Sequence, residues 1–426
     1  MNSTKYFGLK VIKSSLLAGL IVNFACVVEA QSIGPSRGKA KNSAASFQAS
    51  IPALIKEAQA SAETITDYAL RTDAYCLISN SKAKCEGLAA AEQLLSRATN
   101  IAQKISDSHV RIGALINVSV TQRQIGDRSD SRRTLSLAVG CTEQISNVNE
   151  RVKNLYDVET AQLKAGLSSD SALTARQISD WMAKAVDAPE TEKNLGAQQK
   201  ALIQLGETQA YCGDYQGAQK TAKKLGDYEY GNAMVMSDIA VAYADRGNIV
   251  DAETSADRID SIFSDAIDKA YYHILRGQLK SGDISSAEST LEKLNSSKYS
   301  SKRDIMVSKG ESGDLDGVLT LMLNPATNNY YLPNYDNFGR MSCAVAEAKA
   351  HHFGEAIQFL QKLRGSGLES EATAKVIGLR AKAGDFQPAI GTARHMANAY
   401  WKVVALTQIV DAIADQGVPS RARGAA

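Results

Sequence analysis

His351-His352 is the pair with the plainest capacity for chemistry, because imidazole titrates near neutrality and ligates metals. Adjacent residues on a helix point in different directions, so the two rings share one metal poorly and read better as a variant turn. A second concentration of chemistry lies at 324–339, Asn-Pro-Ala-Thr-Asn-Asn-Tyr-Tyr-Leu-Pro-Asn-Tyr-Asp-Asn-Phe-Gly. Tyr330, Tyr331 and Tyr335 offer flat apolar faces with a hydroxyl, and the asparagines offer donors and acceptors. Such groups suit carbohydrate or peptide contact. With Asp336 they are the residues on which a polysaccharide site would be built. The competing reading is a long connection whose tyrosines pack on their own repeat.

Motifs of catalysis are missing. The chain has no Gly-x-Ser-x-Gly, no His-Glu-x-x-His and no dinucleotide loop. Residues 34–39, Gly-Pro-Ser-Arg-Gly-Lys, fall one residue short of a phosphate loop and follow no strand. The six cysteines form neither a Cys-x-x-Cys pair nor a Cys/His set at zinc spacing. Cys76 and Cys85 flank Ser79-Asn80-Ser81, which we expect to be a turn between two helices. A disulfide between them is expected in an oxidising compartment, the alternative being two small buried thiols. The sequence therefore predicts no catalytic residue, no metal and no cofactor, and hence a binding protein and not an enzyme.

The elements that would position any site begin after an export signal. Lys5, Lys10 and Lys13 precede an apolar stretch, Leu16 to Val28, followed by Val28-Glu29-Ala30. That stretch is too short to cross a bilayer, which takes about 20 residues, and it has the plan of a secretory signal cleaved after Ala30. A periplasmic or secreted location follows, with no stable membrane insertion after cleavage. Loss of Lys5, Lys10, Lys13 and Glu29 takes the formal charge from +2 to zero. A neutral chain has no basic field for nucleic acid.

Residues 31–50 hold Gly34, Pro35, Ser36, Gly38, Ser43 and Ser46 and few large apolar groups, which predicts a disordered linker. Leu54, Ile55, Ala58, Ile65 and Tyr68, then Leu94, Leu95, Ala98, Ile101, Ala102 and Ile105, recur at helical spacing. They predict an N-terminal helical hairpin over 51–107.

From 108 to 417 the chain repeats a marker: Gly, then Asp or Asn, with a small residue five positions after the Gly. Gly126-Asp127 leads to Ser131, Gly213-Asp214 to Ala218, Gly247-Asn248 to Ala252, Gly282-Asp283 to Ala287, Gly313-Asp314 to Val318, and Gly384-Asp385 to Ala389. Gly166 with Ala172, and His351-His352 with Ala356, are degenerate copies, and Gly417 is a last marker. The Gly ends one helix in a left-handed conformation, the Asp or Asn caps the next, and the small residue lets the two helices cross closely. From Gly213 onward the spacing stays near 34 residues, one helix pair per repeat. Residues 418–426 are expected to be a disordered tail.

Leu205-Gly206, Gly213, Asp214, Tyr215 and Ala218, and in the next copy Ala240, Tyr243, Gly247, Ala252 and Ala256, resemble the tetratricopeptide repeat family over about 300 residues. The family's Trp is missing, and Ile377 stands where a small residue is expected. The resemblance implies an all-α, right-handed solenoid of antiparallel hairpins that binds along a concave face lined by first helices. Projected onto this sequence, that face holds Lys200, Glu207, Tyr272, Arg276 and Arg303. The function expected is an exported scaffold for a protein or peptide partner, with binding or cleavage of envelope polysaccharide as the alternative.

Overall fold

The Gly-Asp markers turn as the spacing predicts, except that Asp385 does not cap its helix and pairs with Arg380 instead. Gly126, Gly166, Gly213, Gly247, Gly282, Gly313 and Gly384 all have φ between +74° and +97°, and His351 takes the same conformation at φ +65°. The amide after each of them reaches back to the carbonyl five residues earlier, as in Asp127 to Gln122, Asp214 to Gln209 and His352 to Glu347. The helix ends are thereby satisfied without water. The carboxylates of Asp127, Asp214, Asp283 and Asp314 accept from the amide three residues on, capping the next helix. The small residues that follow are fully buried at the helix crossings: Ser131, Ala218, Ala252, Ala287, Val318, Ala356 and Ala389. At the Gly166 turn the crossing residue is Ser171, which is buried, while Ala172 is exposed. No displacement of the marker occurs there.

The computed structural model describes residues 44, 46–191, 194–294, 296–323 and 335–417, and these are all-α, with no strand among them. One helix, α1 (Ile51–Glu63), comes first. Pairs follow: α2 (Tyr68–Glu86) with α3 (Leu88–Ala102), α4 (Ser108–Gln124) with α5 (Arg128–Thr142), and α6 (Val148–Lys164) with α7 (Ser168–Asp187). Next come α8 (Leu195–Tyr211) with α9 (Tyr215–Lys224), α10 (Glu229–Asp245) with α11 (Ile249–Ala256), and α12 (Ser264–Lys280) with α13 (Ile284–Leu291). The last pairs are α14 (Lys298–Ser312) with α15 (Leu315–Leu323), α16 (Tyr335–Lys349) with α17 (Phe353–Gln361), and α18 (Glu369–Lys382) with α19 (Phe386–Arg394). Helix α20 (Ala399–Gly417) has no successor among the described residues.

Its partner is α1. Helix α20 packs on α1 as the members of a pair pack on each other elsewhere, and it also packs on α2. The first helices then form an unbroken succession from α2 through α4, α6 and onward to α20 and back to α2. The solenoid is closed into a ring of ten pairs, the tenth built from the two ends of the chain. Because adjacent first helices touch one another while second helices lie against first helices, the first helices form the shorter, inner circumference.

Three expectations are corrected. Cys76 and Cys85 are free thiols on one continuous helix, α2, whose turn lies at Gly87 and not at Ser79-Asn80-Ser81. Nine residues of helix separate them by about 13 Å along the axis, too far for a disulfide. The N-terminal unit is consequently three helices, with α1 serving α20 and α2–α3 forming the first pair. The end of the expected linker is helical: Ala44 is buried, Gln48–Ser50 form a 3-10 turn, and Phe47 packs at a tilt against Phe386 with ring centroids 5.4 Å apart. The expected signal (1–30), the tail (418–426), and Tyr330 and Tyr331 lie outside the described residues. No helix among the described residues is long and apolar enough to cross a membrane.

Candidate functional site: the inner wall

Side chains on the inner helices pair across their seams. Lys153 of α6 binds Glu207 of α8 at 2.9 Å. Asp238 of α10 binds Lys269 of α12 at 2.5 Å. Tyr272 of α12 donates to Asp304 of α14 at 3.2 Å. Two contacts pass over an intervening helix: Arg246 just after α10 donates to the Tyr156 hydroxyl of α6 at 3.0 Å, and Lys375 of α18 binds Glu311 of α14 at 2.9 Å. Such reach over a neighbour requires a concave surface.

Of the residues the sequence singled out, Tyr272, Arg276 and Arg303 come together. Arg276 lies over the Tyr272 ring at 5.8 Å, and Arg303 holds Asp304 at 2.7 Å and lies over Phe338 at 5.1 Å. Burial and the Asp304 charge push the Tyr272 phenol upward. Glu207 belongs to the neighbouring group, and Lys200 is exposed one heptad before it on the same face of α8. Tyr335 is buried against Met306 and Val318, and its hydroxyl donates to the Leu321 carbonyl at 3.5 Å. Its ring fills the gap between α14, α15 and α16, so it packs on the preceding pair. Asp336 beside it lies 4.0 Å from Arg340.

The group that sequence reasoning missed sits between α6 and α8. The Tyr211 hydroxyl donates to Asp157 at 2.6 Å, Thr208 donates to Asn149 at 3.1 Å, and the Tyr156 and Tyr211 rings meet edge-on at 5.9 Å. The Arg246 guanidinium donates to the Tyr156 hydroxyl and to the Tyr211 carbonyl and covers the Tyr215 ring, tying α6, α8 and α10 together. Burial pushes the Asp157 carboxyl up to about 6, against the opposing hydrogen bond from Tyr211. Burial likewise raises Asp238, and raises the Cys212 thiol to about 12. For Lys153 burial alone would lower the pKa, but Glu207 and Glu150 raise it above the ordinary value. One sequence signal was available: Asp238 is the lone charge in the apolar run from Ala233 to Ala244, and a charge so placed needs a partner.

This group also marks a change of repeat. Ile65-Thr66-Asp67, Ile105-Ser106-Asp107 and Ile145-Ser146-Asn147 recur 40 residues apart. In each the Asp or Asn caps an inner helix, and Arg71, Arg111 or Arg151, four residues on, donates to a carbonyl in the turn just before that helix. After α7 that signature stops, the period falls to about 34, and the outer helices shorten to between 8 and 10 residues. The α6–α8 seam is where the two repeat lengths meet. Beside it a cleft of about 280 Å³ opens among Val186, Pro189, Leu195, Leu202 and Leu225.

Fold and wall together define an all-helical protein made of repeated helix pairs. No family model matches the chain, and no curated protein matches it. Among solved structures it is similar to the crystal structure of Ton1535 from Thermococcus onnurineus NA1, at a TM-score of 0.32 and 14% identity, over 85% of this chain and 99% of that one. A likeness of that size carries no argument about function. Among the described residues, no group of three or more His, Cys, Asp or Glu is placed to hold a metal ion.

Proposed function

We propose that this is an exported, right-handed, tetratricopeptide-like solenoid that holds a polypeptide segment of a partner against its inner wall. The observation that carries this reading is the concave row of half-exposed polar and aromatic groups, over which Arg246 and Lys375 reach past a neighbouring helix. Ten inner helices spaced about 8–10 Å apart put their axes about 13–16 Å from the centre. Subtracting a helix radius of about 5–6 Å leaves a bore roughly 8–10 Å in radius. Such a bore takes one extended chain or one helix. It excludes a folded domain, whose radius of gyration is about 13 Å at 100 residues. Charges of both signs line the wall and are mutually paired, which favours contact through hydrogen bonds and tyrosine faces over attraction of a strongly charged polymer.

The test is photo-crosslinking in the native cell from Lys200 and Arg276 on the inner helices, with Leu173 and Ile357 on outer helices as controls. Polypeptide adducts from the inner positions alone are expected. Adducts only from the outer positions, adducts only to envelope polysaccharide, or no adduct at all would overturn the reading.

A further inference from the structure

The ring has two seams of special construction, and they differ in what opening them would expose. At the seam joining the chain ends, Leu406, Ile409 and Ile413 of α20 are buried in one apolar cluster with Leu54 of α1 and Tyr75 and Ile78 of α2. At the α6–α8 seam, one apolar cluster reaches Ala165 and Leu167 on one side, and another starts at Leu202 on the other. Between them stand Lys153 with Glu207, Asn149 with Thr208, Asp157 with Tyr211, and the Arg246 clasp, beside buried Val152, Leu155 and Leu205, which belong to neither cluster. Opening the first seam would put a large apolar surface into water. Opening the second would exchange protein hydrogen bonds for water ones and rehydrate buried charges.

We infer that the ring opens at the α6–α8 seam, with Arg246 as its clasp, and stays shut where its two ends meet. An internal segment of a longer chain cannot thread a closed bore by its ends and needs such an opening to enter. In that respect the inference rests on the proposed function. The opening itself does not depend on any partner.

The test is single-molecule energy transfer in the full chain, with dyes on clickable residues at exposed positions so that native cysteines are untouched. One pair, Lys164 and Gln216, spans the α6–α8 seam, and the other, Glu86 and Asp415, spans the end-to-end seam. A minor long-distance population is expected at 164/216 only, enlarged by about tenfold in Arg246→Ala, with 86/415 unchanged. If Arg246→Ala fails to fold, Tyr211→Phe, which loses only the hydroxyl bond to Asp157, is expected to enlarge the same population. A single narrow distribution at 164/216 in the wild type and the variants, or broadening at 86/415 first, overturns the inference. Failure to crosslink any polypeptide would sink the proposed function and leave this result standing.

Discussion

The wall is covalently cut between α20 and α1 and continuous between α6 and α8, yet among the described residues one apolar cluster spans the first place and none spans the second. At the cut, apolar side chains from both ends of the chain share a core, pinned by Tyr400 and Asn117 on Asp73 at 2.6 and 2.8 Å and by Arg394 and Lys402 on Glu57, each at 3.1 Å. At the continuous seam the described contacts are hydrogen bonds, an ion pair and ring edges. Chain connectivity, then, does not predict where a repeat ring is strongest. We expect the hydrophobic area removed from water to do so, at about 25 cal/mol per Å².

Deleting the core at the cut should do the most damage. Leu406→Ala is expected to lower stability by about 2–5 kcal/mol in urea unfolding, as a buried Leu leaves a cavity that a packed seam cannot refill. Arg246→Ala should cost less, about 1.5–3 kcal/mol, the range for hydrogen bonds to a charged group. The two seams share no partners, so the double variant should lose the sum of the two effects. Coupling beyond about 0.5 kcal/mol would mean that the seams communicate through the ring.

Relief of strain away from both seams provides the control. His351 holds the left-handed conformation that glycine holds at the other turns, so His351→Gly is expected to gain about 1 kcal/mol in the same unfolding measurement. A loss instead would assign the imidazole a role in the turn.

The smallest expected effect depends on pH. Burial raises Asp157 from its ordinary value of 3.8 to about 6 in the folded protein. A carboxyl with a raised folded pKa binds its proton more tightly folded than unfolded. Its contribution is therefore full below about pH 4, falls as pH rises toward 6, and stays lost above. Asp157→Asn should thus raise the melting temperature at pH 8, by on the order of 1 kcal/mol in stability, and leave it unchanged near pH 4. Glu57 at the cut runs oppositely. Burial alone would raise it, but hydrogen bonds and charge from Arg394 and Lys402 hold it below the ordinary value. Its contribution is present at neutral pH and is lost on acidification, so Glu57→Gln should destabilise at pH 7 and matter less at pH 3.

Legibility in the sequence followed range. The Gly-Asp turns were readable because a positive φ and a side-chain cap are decided within six residues. So was the reading of His351-His352 as a turn. Ring closure was not, since it depends on curvature summed over ten pairs and on contacts such as Tyr400 with Asp73, 327 residues apart. The Cys76–Cys85 disulfide was misread because Ser79, Asn80 and Ser81 have turn chemistry. Inside α2 the Ser79 hydroxyl instead donates back to the Tyr75 carbonyl at 2.6 Å, a bond that a helix interior tolerates. Of the residues projected from first-helix positions, Tyr272, Arg276 and Arg303 meet, and Glu207 joins the next group. The α6–α8 cluster escaped because its members come from 40-residue and 34-residue repeats, so no single period aligns them.

The tenth pair also makes the ring a test of completeness. Translation delivers α1 early and α20 late, and α1 has no pair partner until α20 has emerged. The pairs between can fold on their neighbours as they appear, while closure carries the entropy of joining distant ends and comes at the finish. A chain truncated before Ala399 would keep most of its repeats. It would also leave the apolar faces of α1 and α2 uncovered, and so be marked for chaperones or proteases by the surface that completion hides.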